Sequence, residues 1–153
     1  MPPTDDAEVL LRPATPDDAA PVAAVHLASR RAGAMPPGVH PDHEVEAWLA
    51  GRLAVDETWV AEAAGRVVGY VRMTATWLDD LYVAPSHAGQ GIGSMLLDLA
   101  KARRPGGFSL WVFESNAPAR AFYRRHGLVE REHTDGADNE EQEPDLRMSW
   151  RVG

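Results

Sequence analysis

Apolar residues recur along this chain with two periods, and the points where the period changes mark its elements. Val9-Leu10-Leu11-Arg12 is a short extended run that predicts a first strand. Thr15-Pro16-Asp17-Asp18 follows with a capping hydroxyl, a proline at the first helical position and acids in the first turn, which together start a helix. Ala19, Val22, Val25 and Ser29 share one face of that helix, which should run to about residue 31. Prolines and glycines over 33–41 forbid regular structure. Asp42 can then cap a second helix with Val45, Trp48, Leu49 and Leu53 at helical spacing.

From here the period falls to two. Runs over 58–62 and 66–73 flank a short turn at Ala64-Gly65, which predicts an antiparallel hairpin, and Gly69 inside the second run suggests a bulge. A further strand is expected over 77–83, stopped by Ala84-Pro85. Ile92, Met95, Leu96, Leu99 and Arg103 then describe an amphipathic helix. A strand over 108–113 and a helix over 117–126 follow, the helix closed by Gly127. Strands over 128–133 and 145–152 should pair with each other. The fold class this order predicts is α/β (α+β): a single mixed, mostly antiparallel central sheet flanked by about four helices.

Length and composition limit what such a sheet can belong to. The 153 residues fit one domain over 1–153, and 44% hydrophobic with 25% charged residues excludes wholesale disorder. With no cysteine, disulfides, thiolate metal sites and cysteine nucleophiles are excluded. No apolar run is long enough for a membrane helix, and residues 1–6 are too acidic for a secretory signal, so a cytoplasmic protein with no membrane partner is expected. The formal charge is −8, and −7 of it falls over 130–145, where eight acids meet one base, Arg131. The near-neutral remainder makes a nucleic-acid partner unexpected. His40 and His43 lack a third ligand type beside them, so no metal site is expected.

The sharpest local feature lies between a strand and the amphipathic helix: Val83-Ala84-Pro85-Ser86-His87-Ala88-Gly89-Gln90-Gly91-Ile92-Gly93-Ser94. Alternating glycines ahead of a helix N-terminus let successive backbone N–H groups face outward, a cradle for a pyrophosphate. It is not a P-loop, since no lysine follows Gly93, and it is not G-x-G-x-x-G, since Leu96 stands where the last glycine would be. The glycines by themselves fit equally an unliganded turn.

A second block joins this one. Strand-Pro-x-x-x-Gly-x-Gly-x-Gly-helix resembles the acetyl-CoA-binding motif of the GCN5-related N-acetyltransferases (GNAT family), and the stretch from Asn116-Ala117-Pro118-Ala119-Arg120-Ala121-Phe122-Tyr123 to Gly127-Leu128 resembles that family's N-x-x-A-x-x-F-Y-x-x-x-G-F, with leucine at its last position. The resemblance, with the hairpin and the Leu81-Tyr82-Val83-x-Pro85 lead-in, extends over most of the chain. One departure is Ala88, where the family's first motif position is Gln or Arg.

The resemblance implies an acetyl-CoA-dependent transfer of an acetyl group to a primary amine. The backbone of Leu81, Tyr82 and Val83 would hold the pantetheine arm, and Ala88, Gly89, Gln90, Gly91, Ile92, Gly93 and Ser94 the pyrophosphate. Asn116 would contact the pantetheine, and the Tyr123 hydroxyl would lie near the sulfur as general acid. Asn116 is also a fitting helix cap, and the lesser alternative for Tyr123 is a core aromatic beside Phe122. For the base, Asp79 and Asp80 are the strand candidates, with Glu114 and His87 behind them. Strict alternation puts Asp79 on the face of Leu81 and Val83, where a charge without a function is costly, so Asp79 is favoured. Trp48 should be core or a wall of the acceptor cleft. Arg103, Arg104, Arg120, Arg124 and Arg125 read as a solvated face, some within reach of the 3′-phosphate of CoA.

Acceptor choice, on the same resemblance, belongs to residues 30–53 and 134–144. The second is the acidic segment, which either draws a cationic amine, small molecule or peptide, or is only a solvated loop. A homodimer stays open. The rival to an enzyme is a non-catalytic acyl-CoA-binding or sensing module, and behind it a nucleotide-binding domain of another fold.

Overall fold

The computed structural model describes residues 8–153, so the acidic stretch over 1–6 lies outside the described residues. Four strands form an antiparallel sheet in chain order: β1 (Val9–Pro13), β2 (Glu57–Ala63), β3 (Arg66–Met73) and β4 (Leu78–Val83). The β2–β3 hairpin turns through Ala64 and Gly65 with φ of 51° and 76°, the left-handed pair that a two-residue turn needs to match the strand twist. The bulge expected at Gly69 is present beside it: Ala61 faces Gly69 but Glu62 faces Val67, leaving Val68 as the extra residue.

The other strands are β5 (Phe108–Phe113), β6 (Val129–Thr134) and β7 (Asp145–Trp150), with β7 between β5 and β6. Exposed charges on β6 (Arg131, Glu132, His133) blunt that edge. A parallel bridge, Trp77 to Ser109, joins the two sheets. The single central sheet expected from the sequence is therefore hydrogen-bonded as two, because β4 and β5 start side by side and then part.

Helices cover both faces. α1 (Ala19–Ala32) and α2 (Asp42–Leu53) pack Val22, Val25 and Leu49 onto Val60 and Tyr70. α3 (Ile92–Arg103) and α4 (Ala117–Arg125) lie against the opposite face, where Leu96, Leu97 and Tyr123 meet Ala61, Val71, Leu110 and Met148. Ala61 and Val71 are chain neighbours of Val60 and Tyr70, so β2 and β3 bury alternate residues on both sides. Two starts differ from expectation. One 3₁₀ turn, Pro16–Asp18, precedes α1, with the Thr15 N–H donating to Asp18 Oδ2 at 2.7 Å. Asp42 is the first residue of α2, and Pro41 takes the cap position. Among the described residues no helix is long and apolar enough to cross a membrane.

Candidate active site

β4 bonds to β3 along one edge, and beyond the Trp77 bridge its other edge faces β5 across a gap. Alternate N–H and C=O groups of β4 therefore point into that gap instead of into a ladder. A second bulge bends the strand at its start: Arg72 faces Asp80 but Met73 faces Leu78, which leaves Asp79 as the extra residue. The gap is a cleft of about 470 Å³ whose walls include Leu78 to Tyr82 from β4, Leu110 to Phe113 from β5, and Asn116 and Tyr123. Val83 is not among these walls; its side chain packs into the core.

The glycine turn follows β4 beyond the cleft. Gly89 and Gly91 have φ of +77° and +83°, a region costly for other residues, and an added Cβ at either would meet open space, so backbone conformation is what demands glycine there. Gly93 has ordinary φ, and a Cβ there would rest 3.4 Å from Phe122. The first helical bond of α3 is Met95 N–H to Gly91 O, so the N–H groups of Ile92, Gly93 and Ser94 have no helical carbonyl to use. No side chain caps them. The Ile92 side chain is buried, which leaves that residue only its backbone to offer. Ala88 is exposed and adds no polar group. Ser94 Oγ lies 3.0 Å from His126 Nε2.

α4 starts at Asn116, whose Oδ1 accepts from the Ala119 N–H at 3.3 Å, so the capping role is present; Asn116 also lines the cleft. Tyr123 is buried, its ring 5.3 Å from Phe122, and it too lines the cleft. Its hydroxyl has no protein partner among the described residues. Burial, with the charge of Asp80 and the proximity of Tyr82, pushes the phenol well above its ordinary range.

The two strand acids separate. Asp80 is buried and accepts from Arg72 Nε at 2.7 Å, and Arg72 Nη1 donates to Asp56 at 2.6 Å. Asp79 is an exposed residue bonded by the Thr74 hydroxyl at 2.9 Å. The argument that favoured Asp79 does not hold in the structure: the bulge hands the core position beside Leu81 and Val83 to Leu78, so Asp79 escapes the apolar face. Partial burial still raises its carboxyl above the ordinary value. Both acids line the cleft. Glu114 and His87 do not; Glu114 is exposed and His87 Nδ1 lies 2.8 Å from Ser86 Oγ.

Sequence reasoning missed His26, Tyr70 and Arg72. His26 Nδ1 lies 2.8 Å from the Tyr70 hydroxyl, and its ring meets Tyr82 edge-on at 4.7 Å. A histidine on the inner helix face and an arginine inside an apolar strand were the available signals. Burial pushes Tyr82 up to about 12 and holds His26 below the ordinary imidazole value.

A second hollow of about 700 Å³ lies between α1, α2 and the acidic loop, sharing His26, Arg30, Trp48 and Glu141 with the first. Trp48, expected as core or cleft wall, is a wall and 52% exposed, with the Arg72 guanidinium 4.8 Å from its ring centre. The acidic segment is not one loop. Glu130 and Glu132 belong to β6 and pair with Arg120 and Arg147, while Asp145 opens β7. The loop between these strands is internally bonded: Asn139 Nδ2 donates to Glu143 O at 2.7 Å, and Gln142 Nε2 to Asn139 O at 2.6 Å. It leans on α1 and the loop that follows α1 through Glu141–Arg30 at 3.7 Å and Glu140–His40 at 3.1 Å. Of the arginines expected on a solvated face, Arg103 and Arg104 pair with Glu57, and Arg120 and Arg124 with Glu130. Arg125 is exposed and has no carboxylate partner among the described residues.

Residues 54–130, half of the chain, match the family profile described as Acetyltransferase (GNAT) domain. The chain is 35% identical over 102 residues to peptidyl-lysine N-acetyltransferase YiaC of Escherichia coli, a match spanning 65% of this chain and 67% of that one. It is 37% identical over 90 residues to streptothricin acetyltransferase of Streptomyces lavendulae, spanning 52% of this chain and 48%, about half, of the other. The fold superposes on the solution structure of apo-form YjaB from Escherichia coli with a TM-score of 0.76 at 21% identity, covering 95% of this chain and 99% of that one. PaiA N-acetyltransferase from Thermoplasma acidophilum, solved in complex with coenzyme A, superposes with a TM-score of 0.74 at 18% identity, again over 95% and 99%. At those identities the two superpositions speak to fold alone.

Proposed function

The chain belongs to the GNAT acetyltransferase family, whose members draw their acetyl group from acetyl-CoA, and from that premise we propose that it transfers the acetyl group to a primary amine, cationic and lysine-like. The observation that carries this is the combination of three features: a gap beside β4, lined by Tyr123, and unbonded N–H groups at the start of α3, which follows that strand. The free N–H groups of residues 92–94 and the left-handed glycines before them fit a pyrophosphate, with the α3 dipole adding to the attraction. Ala88 contributes nothing beyond its backbone. The open edge of β4, at Leu81 to Val83, offers amide groups to an extended arm, and Asn116 adds its side chain from the other bank.

Each side chain then has a distinct task. Tyr123 keeps its proton at neutral pH and can give it to the departing thiolate. Asp80 is committed to Arg72. Asp79, bonded by Thr74 alone among the described residues, would be the carboxylate that meets an incoming ammonium. The acceptor would enter through the hollow beside Trp48 and the acidic loop, and the relative named for peptidyl-lysine supports a lysine-like amine. Acetyl-CoA supply would make the cytoplasm its place of work.

Free-CoA release should be followed with a lysine peptide, spermidine and an aminoglycoside as acceptors. Turnover with at least one is expected, and Tyr123→Phe should lower kcat roughly 10²-fold while CoA still binds. Binding of CoA with no turnover on any amine would favour a sensing module instead.

A further inference from the structure

His26 stands where the two cavities meet and lines both. Its Nδ1 is engaged with the buried Tyr70 hydroxyl at 2.8 Å. Its Nε2 has no protein partner among the described residues, and no buried side-chain nitrogen there is left unpaired. Nε2 is therefore not sealed in the core but reaches the cavity space that His26 lines. Burial raises the Tyr70 phenol, and Asp80, held in place by Arg72, raises it further through its charge and its side-chain interaction with the hydroxyl. A phenol beside a carboxylate turns its proton toward that charge, which leaves its oxygen lone pairs for an Nδ1–H. The imidazole so held has its proton on Nδ1 and a free lone pair on Nε2.

Resting on the acetyl-transfer reading, we propose that His26 Nε2 is the general base of the reaction, with Tyr70 and Asp80 as positioning residues that fix its tautomer. The amine nitrogen attacks the thioester carbonyl carbon, and the carbon–oxygen π pair moves to oxygen. The nitrogen's surplus proton passes to His26 Nε2. As the oxygen pair returns, the carbon–sulfur bond breaks and the thiolate takes the Tyr123 proton. Imidazolium and phenolate then return to their starting forms by exchange with water, so one amine and one thioester give one amide and one thiol.

The surroundings favour a neutral imidazole. Burial is the largest influence holding its pKa down; Arg30 on α1 and Arg72 on β3 act the same way, while Asp80 on β4 opposes them. Tyr70 and Tyr82 face the ring from the sheet, and Glu141 from the acidic loop shares its cavity walls. Below its pKa the base is protonated and useless, so the rate should fall on the acid side, under the ordinary imidazole value. A lysine-like acceptor titrates near 10.4, so the two limbs stay apart.

The test measures kcat and KM against pH with the best acceptor of the panel, for the wild type, His26→Gln, Tyr70→Phe and Asp79→Asn. His26→Gln should lose roughly 10²-fold in kcat together with the acid limb, and keep its CoA affinity. Tyr70→Phe should lose about 10-fold and move the limb to lower pH. Asp79→Asn should raise the acceptor KM and keep the limb. Retention of the limb in His26→Gln, or its loss in Asp79→Asn instead, overturns the assignment while leaving acetyl transfer standing. Wild-type protein that turns over no amine overturns both. Nitrogen-15 NMR of the wild-type histidines reads the tautomer without an acceptor: a His26 proton on Nδ1 is expected, and a proton on Nε2 overturns the assignment whatever the kinetics.

Discussion

Arg72 shows how much one residue organises here. Its guanidinium ties Asp56 to Asp80 from inside the sheet and lies over the Trp48 ring, joining the β2 entry, β4 and α2. Arg72→Met would leave the buried Asp80 carboxylate without its cation, while Asp56 keeps Arg52, a loss of about 3–5 kcal/mol, or a fall in Tm of roughly 6–20 °C for a domain of this size. A melt within 2 °C of wild type would mean that the ion pairs contribute no net stability. Acid should act on the same contacts. Hydrogen bonds from Arg52 and Arg72 hold the Asp56 carboxyl, and two from Arg12 the Asp18 carboxyl, below their ordinary values. A carboxyl lowered on folding stabilises the protein above its unfolded pKa of about 3.9 and stops doing so as pH falls through the folded value. Circular dichroism should show stability declining in two stages, a first loss below about pH 6.5 as the buried His26 imidazole resists its proton and a steeper one below about 4 as these carboxyls protonate.

At the scale of the element, the glycine turn and the Asp79 bulge do opposite things to the same strand. The bulge bends β4 away from β5 at its start and opens the cleft; the turn ends the strand in a row of free N–H groups at the head of α3. Gly91 is the pivot, since a left-handed residue there releases the chain into the helix. Gly91→Ala should cost about 1–2 kcal/mol and weaken CoA binding as the N–H row turns out of line. Gly93→Ala, with ordinary φ and a Cβ in normal contact with Phe122, should be the milder of the two in thermal melts and CoA titration. The reverse ranking would mean that packing, not backbone conformation, decides these positions.

Over the whole molecule, the charge excess of residues 130–145 is redistributed by folding. The β6 acids meet arginines from α4 and β7, and Glu140 and Glu141 meet His40 and Arg30 beside the second hollow. What borders the second hollow is therefore a small bonded loop leaning on α1 and the loop that follows it. Glu140→Gln with Glu141→Gln should raise KM for a cationic acceptor several-fold at low ionic strength, and the difference should shrink at 0.5 M salt, where exposed charges are screened within a few ångströms. Equal kinetics at low salt would leave the loop with no part in acceptor attraction.

The sequence by itself determined the element order, the hairpin at Ala64-Gly65, the glycine turn and the α4 motif. Those follow from local rules: hydrophobic period, capping and positive φ act within a few residues of one another. Asn116 and Tyr123 were legible as cleft residues only through the family resemblance. Three things depended on tertiary structure. One extra residue in β4 broke the alternation that had favoured Asp79. Arg72 turned Asp80 into half of a buried ion pair. Packing of α1 on the sheet set His26 against Tyr70, residues 44 apart in the chain. None of the three leaves a local trace, because each is settled by what lies across the sheet, and the partner that sets a side chain's charge and proton is seldom its neighbour in sequence.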